Sequence, residues 1–332
     1  MVLFYLSFYR FMKSIYYLTP SSFCMGVKRS ISELEKIIQN HPGDQIFCVH
    51  ELVHNPKVNA YFRSKGVVFV ENFDEIEIWK HWKMENDGVN NSPYSILHFL
   101  LNKVICFSAH GTNRRIILEA KKKYKYVYNL ECPLVTKIYN EVDKFVDEWI
   151  NDFVYIGKAN HQEWKNVVEY IKYLWNNIEI FENIENLKNK FNSDQKFAVL
   201  SQTTLNYQFV IDTLDQIKSE FPNAQIPVAS DVCKATFDRQ NAIIDNLDKF
   251  DTLIVIWWKD SNNTKELYNI GVKNQKKSFF VEDLEDLKNN FESDLFSNDK
   301  IAITGGASTP EEDIREVFNH YVKKWYNPFV TN

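Results

Sequence analysis

The sequence predicts an α/β protein built on mainly parallel sheets. Strand-like apolar runs alternate with helical patterns through most of its 332 residues. Those runs end abruptly in short polar clusters, as strands do where a loop leaves a parallel sheet. In addition, three cysteines recur in one strand–cysteine–helix setting, 108 positions (24 to 132) and 101 positions (132 to 233) apart. That near-equal spacing divides the chain into three α/β lobes, each donating one thiol.

In chain order, "SIYYLTP" reads as a strand leading to Cys24. After Cys24 and Gly26, Val27, Ile31, Leu34, Ile37 and Ile38 recur at helical spacing, so Cys24 lies at a helix mouth where N–H groups and the helix dipole favour a thiolate. Strands follow in "QIFCVH", "VVFVEN", "KVICFSAH", "YVYNLEC", "FVYIGKANH", "FAVLSQTT", "IPVASDVC", "TLIVIWWK" and "KIAITGGAS". Helices are expected over 113–124, 134–151, 206–220 and 239–248. The polar stretch "KMENDGVNNSPYS", residues 83–95, reads as a surface insertion.

The totals narrow the function classes. A net charge of -5, with 25% charged, 45% hydrophobic and 15% aromatic residues, fits a globular protein. It leaves no basic footprint for nucleic acid. No apolar run approaches the roughly 18 residues that span a bilayer. "MVLFYLSFYRFMKSIYYL" lacks both a basic leader and an A-x-A-like cleavage site, so residues 1–11 read as an extension ahead of Met12. Five cysteines without a CxxC pair indicate a reducing, cytoplasmic compartment rather than a disulfide framework. Cys48 and Cys106, inside apolar strands, read as small buried hydrophobes.

Six runs end in "ELVHN", "SAHG", "KANHQE", "SQTT", "KDSNNT" and "GGAST". One such cluster is an ordinary helix cap. Six, holding three histidines with many hydroxyls and amides, read as the lining of one polar pocket at the carboxyl ends of the strands. Cys132 in "LECPLVTK", with Pro133 at a favoured first helical position, and Cys233 in "SDVCKATF" repeat the setting of Cys24. Spacing alone leaves three readings open: a three-cysteine zinc site, an iron–sulfur cube with one iron left open, or three unrelated thiols.

The motifs "FCMGVKRSI", "VHNPKV", "FSAHGT", "ECPLVTK", "GKANHQE", "SQTTL", "CKATFDRQ", "DSNNT" and "ITGGASTPE" stand in the order and approximate spacing of the LytB/IspH family of hydroxymethylbutenyl diphosphate reductases. The chain resembles that family from Met12 to about residue 320. The resemblance implies three similar α/β domains in a pseudo-three-fold trefoil around a central [4Fe-4S] cluster held by Cys24, Cys132 and Cys233. It sets the domains at 25–131, 132–231, and 12–24 plus 232–325.

It also implies the reductive dehydroxylation of an allylic diphosphate, (E)-4-hydroxy-3-methylbut-2-enyl diphosphate, to isopentenyl and dimethylallyl diphosphate. A ferredoxin- or flavodoxin-like donor supplies the electrons, and the protein acts as a monomer or weak homodimer. Glu163 matches the family's acid and Thr203 the residue on the substrate hydroxyl. His54, His110, His161, Ser261, Asn262, Asn263 and Ser308 match its diphosphate contacts. For Glu163 to carry a proton at neutral pH, burial must raise its pKa; read alone, it is a solvated helix-start carboxylate.

The chain departs from the family at several positions. Ser22 stands where glycine is usual, which reshapes the turn if that position needs a positive φ. Asn262 replaces a serine, Trp257 and Trp258 replace small residues, and the glycines usual after Glu163 are missing. These departures keep open a diverged paralogue that binds cluster and diphosphate as a sensor without turnover.

Overall fold

The structure is a computed structural model that describes residues 13–76, 103–159, 161–227, 231–256, 261–291 and 300–326. The extension 1–11, the insertion 83–95 and Trp257–Trp258 lie outside the described residues. Three parallel sheets hold the strands, as the alternation of elements predicts.

The first sheet contains β2 (Gln45–Val49), β3 (Val68–Val70), β4 (Lys103–Phe107) and β5 (Tyr126–Asn129), in the order β3-β2-β4-β5. The second contains β6 (Asp152–Ile156), β7 (Asn177–Ile180) and β8 (Ala198–Ser201), ordered β7-β6-β8. The third contains β1 (Ser14–Tyr17), β9 (Thr252–Ile256), β10 (Lys277–Val281) and β11 (Lys300–Gly305), ordered β1-β11-β9-β10.

All three share one winding. The first-formed inner strand sends its chain to one side (β2 to β3, β6 to β7, β9 to β10), and the next strand then joins the opposite side (β4, β8, β11). Connections that diverge on the two sides leave a crevice at the carboxyl ends of the central pair. The central strands of each sheet are buried on both faces almost throughout, as crossover helices require, while the outer ones are half-buried. β4 and β9 are buried throughout, and each fully buried aliphatic side chain contributes about 1.5–3 kcal/mol. Cys48 and Cys106 face each other in register in this core, and burial pushes both thiols up, so they are the inert apolar residues expected.

The helices are α1 (Met25–Asn40), α2 (Pro56–Ser64), α3 (Arg114–Lys123), α4 (Pro133–Asp147), α5 (Gln162–Tyr173), α6 (Ile184–Lys190), α7 (Tyr207–Glu220), α8 (Lys234–Ile244), α9 (Asn262–Lys273), α10 (Leu284–Asn290) and α11 (Glu311–Tyr326). Helix α4 ends four residues earlier than its apolar pattern predicts, and α8 starts five residues earlier, directly after Cys233. β7 and β10, unpredicted, are short: "NIEI" carries two polar residues, and "KSFFV" opens on two. Among the described residues no helix is long and apolar enough to cross a membrane.

One predicted strand is not seen among the described residues. Among the described residues "IPVASDVC" has no strand; a single parallel bridge joins the preceding Gln225 to Ala198. Pro227 has no N–H to continue the ladder. This bridge nonetheless stands beside β8 where β5 stands beside β4 and β1 beside β11. Thus each cysteine follows the outer neighbour of its sheet.

The chain forms two compact units. Residues up to Ser22 with those from Asp238 onward make one, around the third sheet; Phe23–Phe237 make the other, around the first and second. At their sequence junction Ser22 is buried with φ 66, and Arg239 donates to its carbonyl. The turn therefore keeps the left-handed form that glycine takes freely, now with a side chain in it. Replacing Ser22 by Gly is expected to raise the unfolding free energy by about 0.5–1 kcal/mol. A higher urea midpoint at unchanged slope is the measurement that checks it.

Candidate active site

Within unit 23–237, the candidate residues leave the carboxyl ends of the strand pairs that flank the crevices. His54 follows β2 and His110 follows β4; His161 and Glu163 follow β6 and Thr203 follows β8. The cysteines take matching positions. The Cys132 N–H donates to the carbonyl of Ala109 at 3.0 Å, and the Cys233 N–H to that of Thr203 at 2.8 Å. Ala109 and Thr203 each lie two residues beyond the end of their strands, β4 and β8.

Cys24 caps α1, its sulfur accepting from the Val27 N–H at 3.4 Å. Cys132 caps α4, where the first-turn N–H groups of Leu134 and Val135 favour its thiolate; burial outweighs them, and the sulfurs of Cys24 and Cys233 add to the upward shift. All three thiols are free and half-buried. Gly26 shows how closely two of them pack: a Cβ there would lie 2.8 Å from the Cys132 sulfur and 3.7 Å from that of Cys24. The missing side chain thus keeps a shared space open beside two thiols at a helix N-terminus.

That donor set suits an iron–sulfur cluster, whose cationic irons would favour thiolates that now oppose one another's ionisation. Among the described residues no three His, Cys, Asp or Glu side chains meet around a single metal ion. A cube instead anchors each thiolate on its own iron.

Cross-links brace this arrangement. On α1, Ser30 donates to the Leu130 carbonyl at 2.7 Å and Arg29 to that of Glu131 at 3.1 Å, holding the Cys24 helix against the Cys132 loop. Lys137 on α4 reaches the buried Asp231 at 2.9 Å, and Asp231 also accepts from the Ser201 N–H at 3.0 Å. Asn166 on α5 donates to the Gly111 carbonyl at 2.8 Å, tying the Glu163 helix to the His110 loop. Sequence reading missed Lys137, Asp231 and Asn166, since none is distinguishable by residue type from an ordinary helix or loop polar group.

Two of the three histidines are held neutral by burial. His54 and His110 stack with ring centroids 3.8 Å apart. Burial, then the neighbouring His54, His161 and His50, hold His110 well below the usual imidazole range, and its Nε2 is buried without a partner. His161 caps α5: its Nδ1 accepts from the Glu163 N–H at 3.2 Å, which leaves the hydrogen on Nε2 as a donor. Burial chiefly, with His54 and Lys158, lowers its pKa to about 4.

Glu163 is not the solvated carboxylate of an ordinary helix start. It is 4% exposed and lies under three donors: the Thr203 hydroxyl at 2.7 Å on Oε2, and the Thr203 N–H at 2.9 Å and Tyr155 hydroxyl at 3.0 Å on Oε1. Burial outweighs these donors and lifts its pKa to about 7, which is the shift a proton donor at neutral pH requires. Sequence reasoning overlooked Tyr155, an apolar strand residue by every local signal.

In the other unit, Ser261 caps α9 and takes the Thr264 hydroxyl at 2.8 Å. Asn263 Oδ1 accepts from the Ala307 N–H at 3.0 Å, joining the loop after β9 to the one after β11. Ser261, Asn262, Asn263 and Ser308 are all buried there, at the crevice of the third sheet. The substitution at Asn262 therefore costs neither the cap nor the loop contact.

The LytB protein family model matches residues 15–321. The chain belongs to the LytB family. It is 32% identical over 305 residues to the 4-hydroxy-3-methylbut-2-enyl diphosphate reductase of Buchnera aphidicola subsp. Schizaphis graminum, covering 92% of this chain and 88% of that protein. The reductase of the same name from Neorickettsia sennetsu is 30% identical over 319 residues, covering 96% and 94%. Among solved structures, the E-1-hydroxy-2-methyl-but-2-enyl-4-diphosphate reductase from Plasmodium falciparum aligns with a TM-score of 0.79 at 25% identity, covering 94% of this chain and 88% of that one. Like these LytB proteins, this one is an enzyme.

Two outcomes follow from the site. Gly26→Ala places a methyl group against the Cys132 sulfur, so anaerobically purified protein should lose most of its bound iron relative to the parent, measured as iron per chain. Inorganic diphosphate should bind without proton uptake by the histidines between pH 8 and 6, because burial keeps His110 and His161 uncharged there and a neutral imidazole donates through its N–H. Titration calorimetry in buffers of different ionisation enthalpy reads any uptake beyond the diphosphate's own ionisation, and such an excess would contradict this role for the histidines.

Proposed function

We propose that this LytB protein reductively dehydroxylates (E)-4-hydroxy-3-methylbut-2-enyl diphosphate to isopentenyl and dimethylallyl diphosphate, the terminal reaction of the non-mevalonate pathway. The observation that carries the reading is Glu163: a buried carboxyl with a pKa near neutrality, bonded to the Thr203 hydroxyl within a family of reductases. The conversion consumes two electrons and two protons, breaks the allylic carbon–oxygen bond and releases water. A ferredoxin- or flavodoxin-like protein is the proposed electron source.

His54, His110 and His161 act as N–H donors to the diphosphate oxygens, His110 and His161 as neutral imidazoles, and Ser261, Asn262, Asn263 and Ser308 are further proposed donors. A [4Fe-4S] cluster on Cys24, Cys132 and Cys233 would supply electrons singly and a Lewis-acidic iron with an open position. Glu163 holds the proton that the departing hydroxyl requires, and Thr203 relays it. Only protonated Glu163 serves, so kcat declines as pH rises through about 7.

Anaerobic protein should be brown and oxidise a reduced viologen dye only when the substrate is added. Glu163→Gln should keep the colour and lose turnover by about 10²–10⁴-fold. Colourless protein with bound zinc would refute the reading. Brown protein that produces no isoprenoid diphosphate would refute the proposed turnover.

A further inference from the structure

The Glu163 carboxyl receives its three donors unequally. Oε1 accepts both the Tyr155 hydroxyl at 3.0 Å and the Thr203 N–H at 2.9 Å, whereas Oε2 meets the Thr203 hydroxyl at 2.7 Å. A carboxyl oxygen that already accepts two donors has no lone pair left for a proton, and neither a backbone N–H nor a phenol committed to that oxygen can turn to accept one. The Thr203 hydroxyl can: it donates to a carboxylate and accepts from a carboxylic acid by rotation.

Tyr155 is locked in this role by packing. It is fully buried on β6, its ring 5.1 Å from that of Trp164. Gly157, just past the end of the same strand, gives the ring its room, since a Cβ there would fall 2.2 Å from Tyr155 Cε1. A buried phenol left without a partner is costly, so its hydrogen stays on Glu163.

We propose that Tyr155 is a positioning residue that assigns the Glu163 proton to Oε2, the oxygen against the Thr203 hydroxyl, and thereby sets the direction of proton delivery. The proton on Oε2 passes to Thr203 Oγ1 as the hydroxyl's own proton moves on to the departing oxygen, and Glu163 is left as carboxylate. Without the phenol, Oε1 keeps one free lone pair, and the proton divides between an oxygen aimed at Thr203 and one that is not. This inference rests on the reading of Glu163 and Thr203 as the acid and its relay. The other titratable groups acting on the pair are Asp231, Tyr139 and His161, all of which the test leaves in place.

Tyr155→Phe removes the hydroxyl and keeps the ring. Infrared pH titration of the anaerobic holoprotein follows the protonated Glu163 carbonyl band, identified by its loss in Glu163→Gln. The phenylalanine variant should broaden or split that band and move its midpoint up by about one pH unit, because a donor to the carboxylate is gone. In turnover, kcat well below the midpoint should fall by up to about tenfold at unchanged KM, and its alkaline limb should move up in parallel.

Incorporating 3-fluorotyrosine at position 155, a stronger donor of nearly the same size, should move the midpoint down, whether or not the phenylalanine variant folds. A band and midpoint insensitive to both changes would overturn the proposal. The infrared result stands even if the wild type fails to turn over this substrate, so failure of the reductase reading and failure of this one are told apart.

Discussion

A parallel strand delivers its loop at its carboxyl end, and when successive crossovers wind to opposite sides of a sheet their loops part. Every candidate residue depends on that constraint. In each of the three sheets the central pair (β2 and β4, β6 and β8, β9 and β11) straddles such a crevice. The loops after these strands hold the histidines, Glu163, Thr203 and the hydroxyl–amide groups. The cysteines follow the outer neighbours, the second sheet keeping this place with only the Gln225–Ala198 bridge. One winding rule, used three times, therefore places both the buried Glu163 carboxyl and the thiols.

Within that frame, burial produces the chemistry. Glu163 carries three hydrogen bonds that each favour its charged form, yet desolvation prevails and brings the carboxyl to neutrality. The same force keeps His110 and His161 uncharged. A neutral imidazole donates to an anion without the repulsion a crowd of imidazolium ions would suffer. The thiols follow the opposite logic: burial and mutual repulsion resist ionisation of Cys132, and cationic iron would relieve both. The proposed acid, anion donors and metal ligands would thus draw different chemistry from burial.

Conservative local geometry accommodates the unusual residues of this LytB chain. Ser22 occupies the left-handed turn that glycine usually fills, with its carbonyl bonded to Arg239. Asn262 is the first residue of α9, where Ser261 supplies the cap and Asn263 the cross-loop contact, so its identity is free of both structural tasks. Neither change disturbs the strand ends that position the site.

The alternation of apolar runs and helical patterns determined the fold class, because parallel strands and amphipathic helices are each written in local periodicity. Polar clusters at strand ends, with cysteines before helices, marked candidate residues for the same reason, and the family resemblance gave them their roles. In "IPVASDVC" the described residues carry no strand, and Pro227 has no N–H to continue a ladder that its apolar neighbours suggest. Tyr155 was invisible: on a strand it counts as another buried aromatic, and only packing over Gly157 turns its hydroxyl to Glu163. The sequence by itself determined which residues could do chemistry and at which strand ends they lie. The tertiary structure decided their protonation and partners, because desolvation and hydrogen bonding arise between segments far apart in the chain and leave no local mark.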